Sequence, residues 1–244
     1  MAIIRAQNLV KWYGPRLAVR DVSFTVGEGE VVGLLGPNGS GKSTIFRILA
    51  GYLTPSSGSA EIAGHDAASD SLALRREIGY VPEDAPLYDQ MRVTEFLAFM
   101  AALKGLARVP ARRAVDAAVE RLQLASVTAT PIAKLSRGFR QRVAIAQSLI
   151  GEPKLLLFDE PTTGLDPHQV IALRGLVREL AGEHTILIAS HVLSEIERIA
   201  SRVMILLEGR LLTADALGAV APGAPRDLEA IFLALTQQRD GRAA

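Results

Sequence analysis

The chain reads Gly36-Pro37-Asn38-Gly39-Ser40-Gly41-Lys42-Ser43-Thr44 directly after the apolar run 31–35 and directly before the apolar segment 45–50. A strand, a glycine-rich loop and a helix in this order form the setting of a phosphate-binding P-loop. The glycines let the loop turn its N–H groups toward phosphates, and the helix adds the positive end of its dipole. A glycine-rich helix cap beside an incidental lysine is disfavoured, because both the strand and the helix are in place. The segment therefore predicts that the chain binds a nucleoside triphosphate.

The residue types in this loop predict how the nucleotide is held. The Lys42 ammonium can reach the β- and γ-phosphates, and the Ser43 hydroxyl can bind Mg²⁺. The remaining predicted nucleotide contacts are Asn38, Gly39, Ser40, Gly41 and Thr44.

A second apolar strand ends in two acids, Asp159 and Glu160. A carboxylate at this place can hold the Mg²⁺ that bridges the phosphates, and a second one can polarise a water for in-line attack. We assign Asp159 to the metal and Glu160 to the water. Two solvated acids at the end of a strand are the alternative, and the P-loop makes that alternative the weaker one.

His191 follows a third strand-like run, residues 185–189, and is therefore expected at the carboxyl edge of the sheet. It would donate a hydrogen bond to the γ-phosphate or hold the attacking water, although a lone histidine at this place can also be structural. The other histidines, at 65, 168 and 184, are interpreted as solvated.

Composition narrows the class of protein. The 244 residues carry a formal net charge of +1 and no cysteine. A nearly neutral charge gives no argument for nucleic acid or for an anionic membrane surface, and the lack of cysteine suits a cytosolic protein. No signal peptide is predicted, and charged residues interrupt every apolar run before the ~20 residues needed to span a bilayer. Any membrane part is expected on another chain.

The order of patterns predicts an α/β protein: a P-loop NTPase parallel sheet with a small N-terminal antiparallel β part and an inserted helical subdomain. The ATP-binding core is predicted over 1–83 and 151–213, the helical insert over 84–150, and a C-terminal tail over 214–244. Strands are predicted at 3–12, 18–26, 59–64, 78–81, 154–158, 185–189 and 202–206, and helical patterns at 93–150 and 167–181. In the tail, Asp227 is predicted to cap a short helix that docks on its own domain or on a partner.

Several further motifs make the chain similar to the ATP-binding subunits of ABC transporters over nearly its whole length. They are Lys11-Trp12-Tyr13-Gly14, Leu135-Ser136-Arg137-Gly138-Phe139-Arg140-Gln141-Arg142, which resembles the family signature LSGGQ, Thr163-Gly164-Leu165-Asp166, and Ser190-His191. The resemblance implies an ATPase in which two such domains enclose two ATP molecules, the P-loop of one facing the signature of the other.

The resemblance also implies roles for single residues. Tyr13 would stack on adenine, Ser136 and the Gly138 N–H would contact the γ-phosphate across the dimer, and Asp166 would lie at the dimer seam. Because the chain has one P-loop and one signature, a second copy or a homologous ATP-binding subunit would be required to complete a site.

Two departures from the family pattern concern the site. Glu83 stands where the family has glutamine, and its carboxylate would bind Mg²⁺ or orient water and couple the site to the insert. In the signature, Arg137 replaces the first glycine and Phe139 the glutamine. Arg137 would add positive charge near the facing phosphates or point to solvent.

The motif variants and the tail resemble the bacterial type 2 exporter branch, which implies an integral membrane permease as partner. The chain would then lie in the cytoplasm, at the inner face of the cell membrane. The loop 84–88 and the helix from Thr94 are the predicted permease contact.

The alternative is a soluble ABC ATPase acting on DNA or ribosomes, but no nucleic-acid surface is predicted. A P-loop kinase or GTPase would need an acceptor site or an Asn-Lys-x-Asp motif, and a binding-only module is disfavoured by Glu160 and His191.

Overall fold

A computed structural model describes residues 1–212, and the predicted tail over 214–244 lies outside the described residues. The strands are β1 Ala2–Tyr13, β2 Arg16–Gly27, β3 Val31–Leu35, β4 Ser57–Ile62, β5 His65–Asp66, β6 Ile78–Val81, β7 Leu155–Asp159, β8 Thr185–Ser190, β9 Arg202–Leu207 and β10 Arg210–Leu212. The α-helices are α1 Lys42–Leu49, α2 Ser71–Glu77, α3 Val93–Leu103, α4 Arg108–Arg121, α5 Arg137–Leu149, α6 Pro167–Leu180 and α7 Leu193–Ile199.

A six-stranded sheet with the order β10-β9-β3-β8-β7-β6 forms the centre of the fold. Its neighbours are parallel except for the edge pair β9 and β10. A second, four-stranded sheet with the order β2-β1-β4-β5 is antiparallel. The fold is therefore the expected α/β architecture with an additional antiparallel β part.

The central strands are buried on both faces, which explains why they read as continuous apolar runs. In β3 every residue is buried, and successive side chains enter different cores. Val31 and Leu35 pack with the helical insert, α6 and α7. Val32 and Leu34 pack with α1 and the antiparallel sheet on the opposite face. The same alternation holds for β7 and β8, so three adjacent strands are fixed between two hydrophobic layers.

Helices α3, α4 and α5 lie between β6 and β7 in the chain, as the helical pattern predicted. Their apolar faces, with residues such as Phe96, Val115 and Val143, join the same hydrophobic cluster as one face of the central sheet. Domain limits at 83/84 and 150/151 remain predictions.

The predicted strands occur in the structure with shifts of one or two residues at their ends. Four elements were missed: β5, α2, α7 and the short edge strand β10. Helix α2 and strand β5 were read as a polar, alanine-rich connection, and α2 buries only Leu74, so its apolar periodicity is weak. Helix α7 likewise buries only Ile196. His184 was wrongly interpreted as solvated: its ring is largely buried and its Nδ1 lies 2.7 Å from the Pro153 carbonyl oxygen.

Lys104, at the end of α3, is a largely buried cation whose ammonium donates to the Ile78 carbonyl at 3.2 Å. Burial lowers the pKa of Lys104 to about 8. In the unfolded chain the same lysine has its ordinary pKa of about 10.4. Between these two pH values the unfolded chain still binds the proton, whereas the folded chain has lost it. Stability therefore rises with pH from about 8 to about 10.4, and below about 8 the folded state carries the full cost of the buried charge.

We expect Lys104→Met to raise the free energy of unfolding by about 2 to 3 kcal/mol at pH 7, and the gain to vanish above pH ~10.4. Urea unfolding at pH 7, 9 and 10.5 measures this difference, with Arg112→Met, an exposed arginine of α4, as the control. A gain that is the same at all three pH values would contradict the explanation.

Candidate nucleotide site

The candidate site lies where the parallel strands of the central sheet end. Leu35 pairs with Ser190, and Asp159 pairs with Ala189, so the chain leaves β3, β7 and β8 at the same edge. The P-loop, Glu160 and His191 follow these strands directly, and Asp159 is the last residue of β7. The topology thus brings together the three segments that the sequence suggested separately.

The P-loop leads into α1 through Gly41, which has a φ of 110°. A Cβ at Gly41 would also lie 2.6 Å from the Ala18 carbonyl oxygen, so both the dihedral and the space require glycine. The loop N–H groups and the first turn of α1 form a cradle for phosphate. A cleft of about 310 Å³ opens here, lined by Tyr13, Arg16, Ala18, Asn38, Gly39, Gly41, Lys42, Ser43, Thr44, Arg47, Glu83 and Glu160.

Lys42 is buried beneath this loop and bridges it to β7. Its ammonium donates to the carbonyl oxygens of Gly36 at 2.7 Å and Pro37 at 3.2 Å. It also lies 3.1 Å from Glu160 Oε1, and both side chains are about 95% buried, with relative exposures of 5% and 4%. The buried carboxylate therefore has a buried counterion, as its desolvation demands.

Glu160 and His191 form a direct pair. The imidazole Nδ1 of His191 lies 2.8 Å from Glu160 Oε2, and the His191 backbone N–H donates to the same oxygen at 3.3 Å. Glu160 itself has a φ of 51°, in the left-handed region. This backbone conformation turns the side chain from the strand end toward Lys42 and His191. His191, which the sequence predicts to act on the γ-phosphate or on water, thus also contacts the Glu160 carboxylate.

Asp159 is buried beside the P-loop serine and is suited to Mg²⁺. Its Oδ1 is buried and has no hydrogen-bond partner among the described residues. Burial raises the pKa of Asp159 to about 6, the Ser43 hydroxyl opposes this rise, and the charges of Glu160 and Glu83 add to it. A divalent cation would satisfy the orphaned oxygen and these negative charges. Mg²⁺ commonly takes one or two protein carboxylates and completes its shell with phosphates and water, so Ser43, Asp159 and Glu83 fit it.

The other predicted site residues divide into two groups. Tyr13 and Glu83 line the cleft and are exposed. The Tyr13 ring is therefore accessible for stacking on a base, and the Glu83 carboxylate is accessible to water or a metal ion. Ser136, Gly138 and Asp166 do not appear among the described residues that line it. Ser136 and Asp166 instead cap α5 and α6, where their side chains accept from the N–H groups of Phe139 at 3.4 Å and Gln169 at 3.0 Å.

The sequence reasoning missed a polar link between the loops that follow β7 and β8. The Glu195 carboxylate accepts from the Thr162 hydroxyl and lies 3.5 Å from the Ser190 hydroxyl, which in turn accepts from the Val192 N–H at 3.0 Å. The only feature of the sequence that could have pointed to Glu195 is its position four residues after His191. Arg16 and Arg47, two cations of the cleft, were missed as well.

The comparison with protein families agrees with this geometry. A family model described as "ABC transporter" matches residues 19–163, which is more than half of the chain. The bacitracin transport ATP-binding protein BcrA of Bacillus licheniformis is 38% identical over 212 residues, covering 86% of this chain and 68% of its own length. The Nod factor export ATP-binding protein I of Rhizobium sp. (strain N33) is 38% identical over 207 residues, covering 83% and 67%.

Solved structures show the same architecture. An ATP-binding subunit of an ABC transporter superposes with a TM-score of 0.83 at 30% identity, covering 96% of this chain and 99% of that one. A bacterial ABC transporter cassette solved as a dimer gives a TM-score of 0.78 at 27% identity, covering 86% and 97%. The chain belongs to the ABC transporter family, as an ATP-binding subunit with ATPase activity that resembles the type 2 exporter branch.

Proposed function

We propose that the chain hydrolyses ATP in sites shared between two ATP-binding subunits and thereby drives a separate membrane permease, in the direction of export. One observation carries the shared site: the described residues that line the P-loop cleft do not include Ser136, Gly138 or Asp166. The N-terminus of α5 and its cap thus lie free of the subunit's own cleft. A second copy or a homologous subunit, bringing its own α5 to this cleft, would supply the missing contacts.

Within this proposal each site residue has a chemical task. Lys42 and the loop N–H groups bind the β- and γ-phosphates, and Tyr13 stacks on adenine. Ser43, Asp159 and Glu83 would hold Mg²⁺, which neutralises phosphate charge when bound. Glu160 accepts a proton from the attacking water, and His191 holds the Glu160 carboxylate in place through its Nδ1 contact at 2.8 Å.

The pairing of Lys42 with Glu160 suggests how substrate activates the base. Phosphate oxygens would compete for the Lys42 ammonium, which now lies 3.1 Å from Glu160 Oε1. A carboxylate that loses this counterion becomes a stronger proton acceptor. ATP, but not ADP, carries the γ-phosphate for the facing signature, so ATP favours the closed pair of subunits and hydrolysis reopens it.

The mass in solution of Glu160→Gln tests this proposal. The variant keeps the P-loop and is expected to bind ATP without hydrolysing it. A dimer with Mg-ATP and a monomer with Mg-ADP support the shared site. A monomer in both states, despite measured ATP binding, contradicts a homodimer, and the same experiment with a homologous subunit added then tests the heterodimer.

Glu83 offers a separate prediction. Its exposed carboxylate lies in the cleft with Lys42, Ser43 and Glu160. Because an amide oxygen can also bind Mg²⁺ or water, Glu83→Gln is expected to keep most of the ATPase rate, whereas Glu83→Ala loses about ten-fold or more. Steady-state phosphate release measures the three rates. Equal rates in all three proteins would remove Glu83 from the mechanism.

The permease contact is proposed at an aromatic surface of the helical insert. Tyr88 is 50% exposed and packs edge-to-face on Phe96 and Phe99, with ring centroids 5.9 and 5.5 Å apart. Arg140 fixes the same loop through a 2.7 Å contact with Asp89. In the part of the chain that the structure describes, no helix has the length and hydropathy to cross a membrane. Attachment to the inner face of the membrane through a permease is accordingly part of the proposal.

We expect Tyr88→Glu to abolish saturable binding of the chain to inside-out membrane vesicles from its own cells while its ATPase rate stays unchanged. Leu72→Glu, at a 75% exposed position on α2, is the matched control and should bind normally. Binding must also disappear when vesicle proteins are digested. Retained binding of Tyr88→Glu would place the contact elsewhere.

The relatives are transport proteins by name, and none supports the alternative of a soluble ATPase acting on DNA or ribosomes.

A further inference from the structure

Arg137, one of the two residues that depart from the family signature, lies against the loop that follows β7 in its own subunit. A Cβ built on Gly164 would lie 2.1 Å from Arg137 Cζ and 2.2 and 2.5 Å from its two terminal nitrogens. The guanidinium therefore occupies the space that any side chain at position 164 would take. Gly164 has a φ of 70°, so the turn that receives the guanidinium also favours glycine for its backbone.

A second contact joins the same two segments. A Cβ on Gly138 would lie 2.4 Å from Gln169 Nε2, so the signature turn approaches the first turn of α6 closely. Gln169 is not free to move aside, because it forms a capping box with Asp166: its backbone N–H donates to Asp166 Oδ1 at 3.0 Å, and its Oε1 accepts from the Asp166 N–H at 3.4 Å. The start of α5 thus touches the loop 160–166 and its helix at two neighbouring points.

The Arg137 guanidinium makes no hydrogen bond or ion pair with any of residues 1–212, so its contact with Gly164 is one of packing. A flat, delocalised cation can lie on a peptide plane, and its weak hydration makes this arrangement less costly than for an ammonium. Arg137 is exposed while its guanidinium lies on Gly164, and it is absent from the described residues that line the subunit's own P-loop cleft.

We propose that Arg137 is a positioning residue that braces the signature turn, Ser136 to Phe139, against the loop from Glu160 to Asp166 of the same subunit. The brace connects the residues assigned to the facing nucleotide, Ser136 and Gly138, with the loop that begins at Glu160. Its relevance for ATP turnover rests on the proposed function, whereas the brace itself exists in a single subunit and can be tested there.

The test uses the absence of cysteine from the chain. Spin labels are attached at two exposed positions, Arg113→Cys on α4 of the insert and Ile171→Cys on α6 of the core. Pulsed electron paramagnetic resonance then measures the distribution of distances between the two labels in the nucleotide-free monomer. We expect Arg137→Ala to widen the distance distribution about twofold, because a packed contact between the two parts is lost. Arg112→Ala, which removes an exposed arginine of the same insert, is the matched control and should leave the distribution unchanged.

Two further variants define the contact. Gly164→Ala should widen the distribution as Arg137→Ala does, and the double variant should be no wider than Gly164→Ala alone, because both changes break one contact. Arg137→Lys should also widen it, since an ammonium has no planar face. A parent-like distribution for Arg137→Ala or Arg137→Lys, or additive widening in the double variant, would overturn the brace.

A functional readout separates positioning from simple stability. In the Glu160→Gln background, Arg137→Ala is expected to weaken the ATP-dependent dimer about five-fold, with an unchanged affinity of the monomer for Mg-ADP and an unchanged unfolding midpoint. Unchanged dimer affinity beside a widened distance distribution would overturn the positioning role. If the single variant Glu160→Gln forms no dimer with ATP, the proposed homodimer is wrong. The distance measurements on the monomer still test whether Arg137 braces the signature turn.

Discussion

Glu160→Gln is expected to lower kcat for ATP hydrolysis by about 10³-fold with little change in ATP affinity, because the amide cannot accept the proton of the attacking water. Glutamine has nearly the same shape, and its oxygen can still accept from His191, which now contacts Glu160 Oε2 at 2.8 Å. The buried surroundings of the side chain are therefore retained. Phosphate release under steady-state conditions gives kcat, and titration calorimetry gives the ATP affinity.

Glu179→Gln, an exposed acid on α6, serves as the control and should hydrolyse ATP at the parent rate. A Glu160→Gln rate within ten-fold of the parent rate would show that proton transfer to this carboxylate is not the main contribution of the residue. The catalytic role would then pass to His191 or Glu83, the other two predicted catalytic residues.

Lys42→Ala is expected to lower the free energy of unfolding by about 3 to 5 kcal/mol and ATP affinity by about 100-fold. The first effect follows from the pair with Glu160, whose carboxylate is buried and would lose a counterion 3.1 Å away. The second follows from the loss of a charge-assisted contact to phosphate. Urea unfolding without nucleotide and calorimetry with Mg-ATP measure the two effects independently.

The double variant Lys42→Ala, Glu160→Gln distinguishes these two roles of the lysine. With the carboxylate neutralised, most of the lost stability should return, because the unpaired buried charge is gone. ATP affinity should remain low, because the phosphates still lack their cation. A double variant as unstable as Lys42→Ala alone would mean that the lysine stabilises the loop through its contacts with Gly36 and Pro37 instead.

The sequence predicted best those parts of the fold in which burial is complete. Strands β3, β7 and β8 are buried at every position and mainly apolar, and the residues at or just after their ends are of types typical of a nucleotide site. Helix α2 was missed because a helix that buries only Leu74 carries almost no periodic signal. The links made by Glu195 and Arg137 could not be predicted, since they join segments far apart in the chain and depend on where a loop turns.

The left-handed backbone of Glu160 has a consequence for how this position tolerates change. A φ of 51° costs a non-glycine residue about 1 kcal/mol, and glycine would adopt it freely. Glycine would avoid this cost but would leave the buried Lys42 ammonium without the carboxylate that lies 3.1 Å from it, and that loss is the larger of the two. The strained backbone at position 160 is therefore maintained by the side chain that it carries, so sorting random variants for stability should already disfavour glycine here, and sorting for turnover should restrict the position further to glutamate.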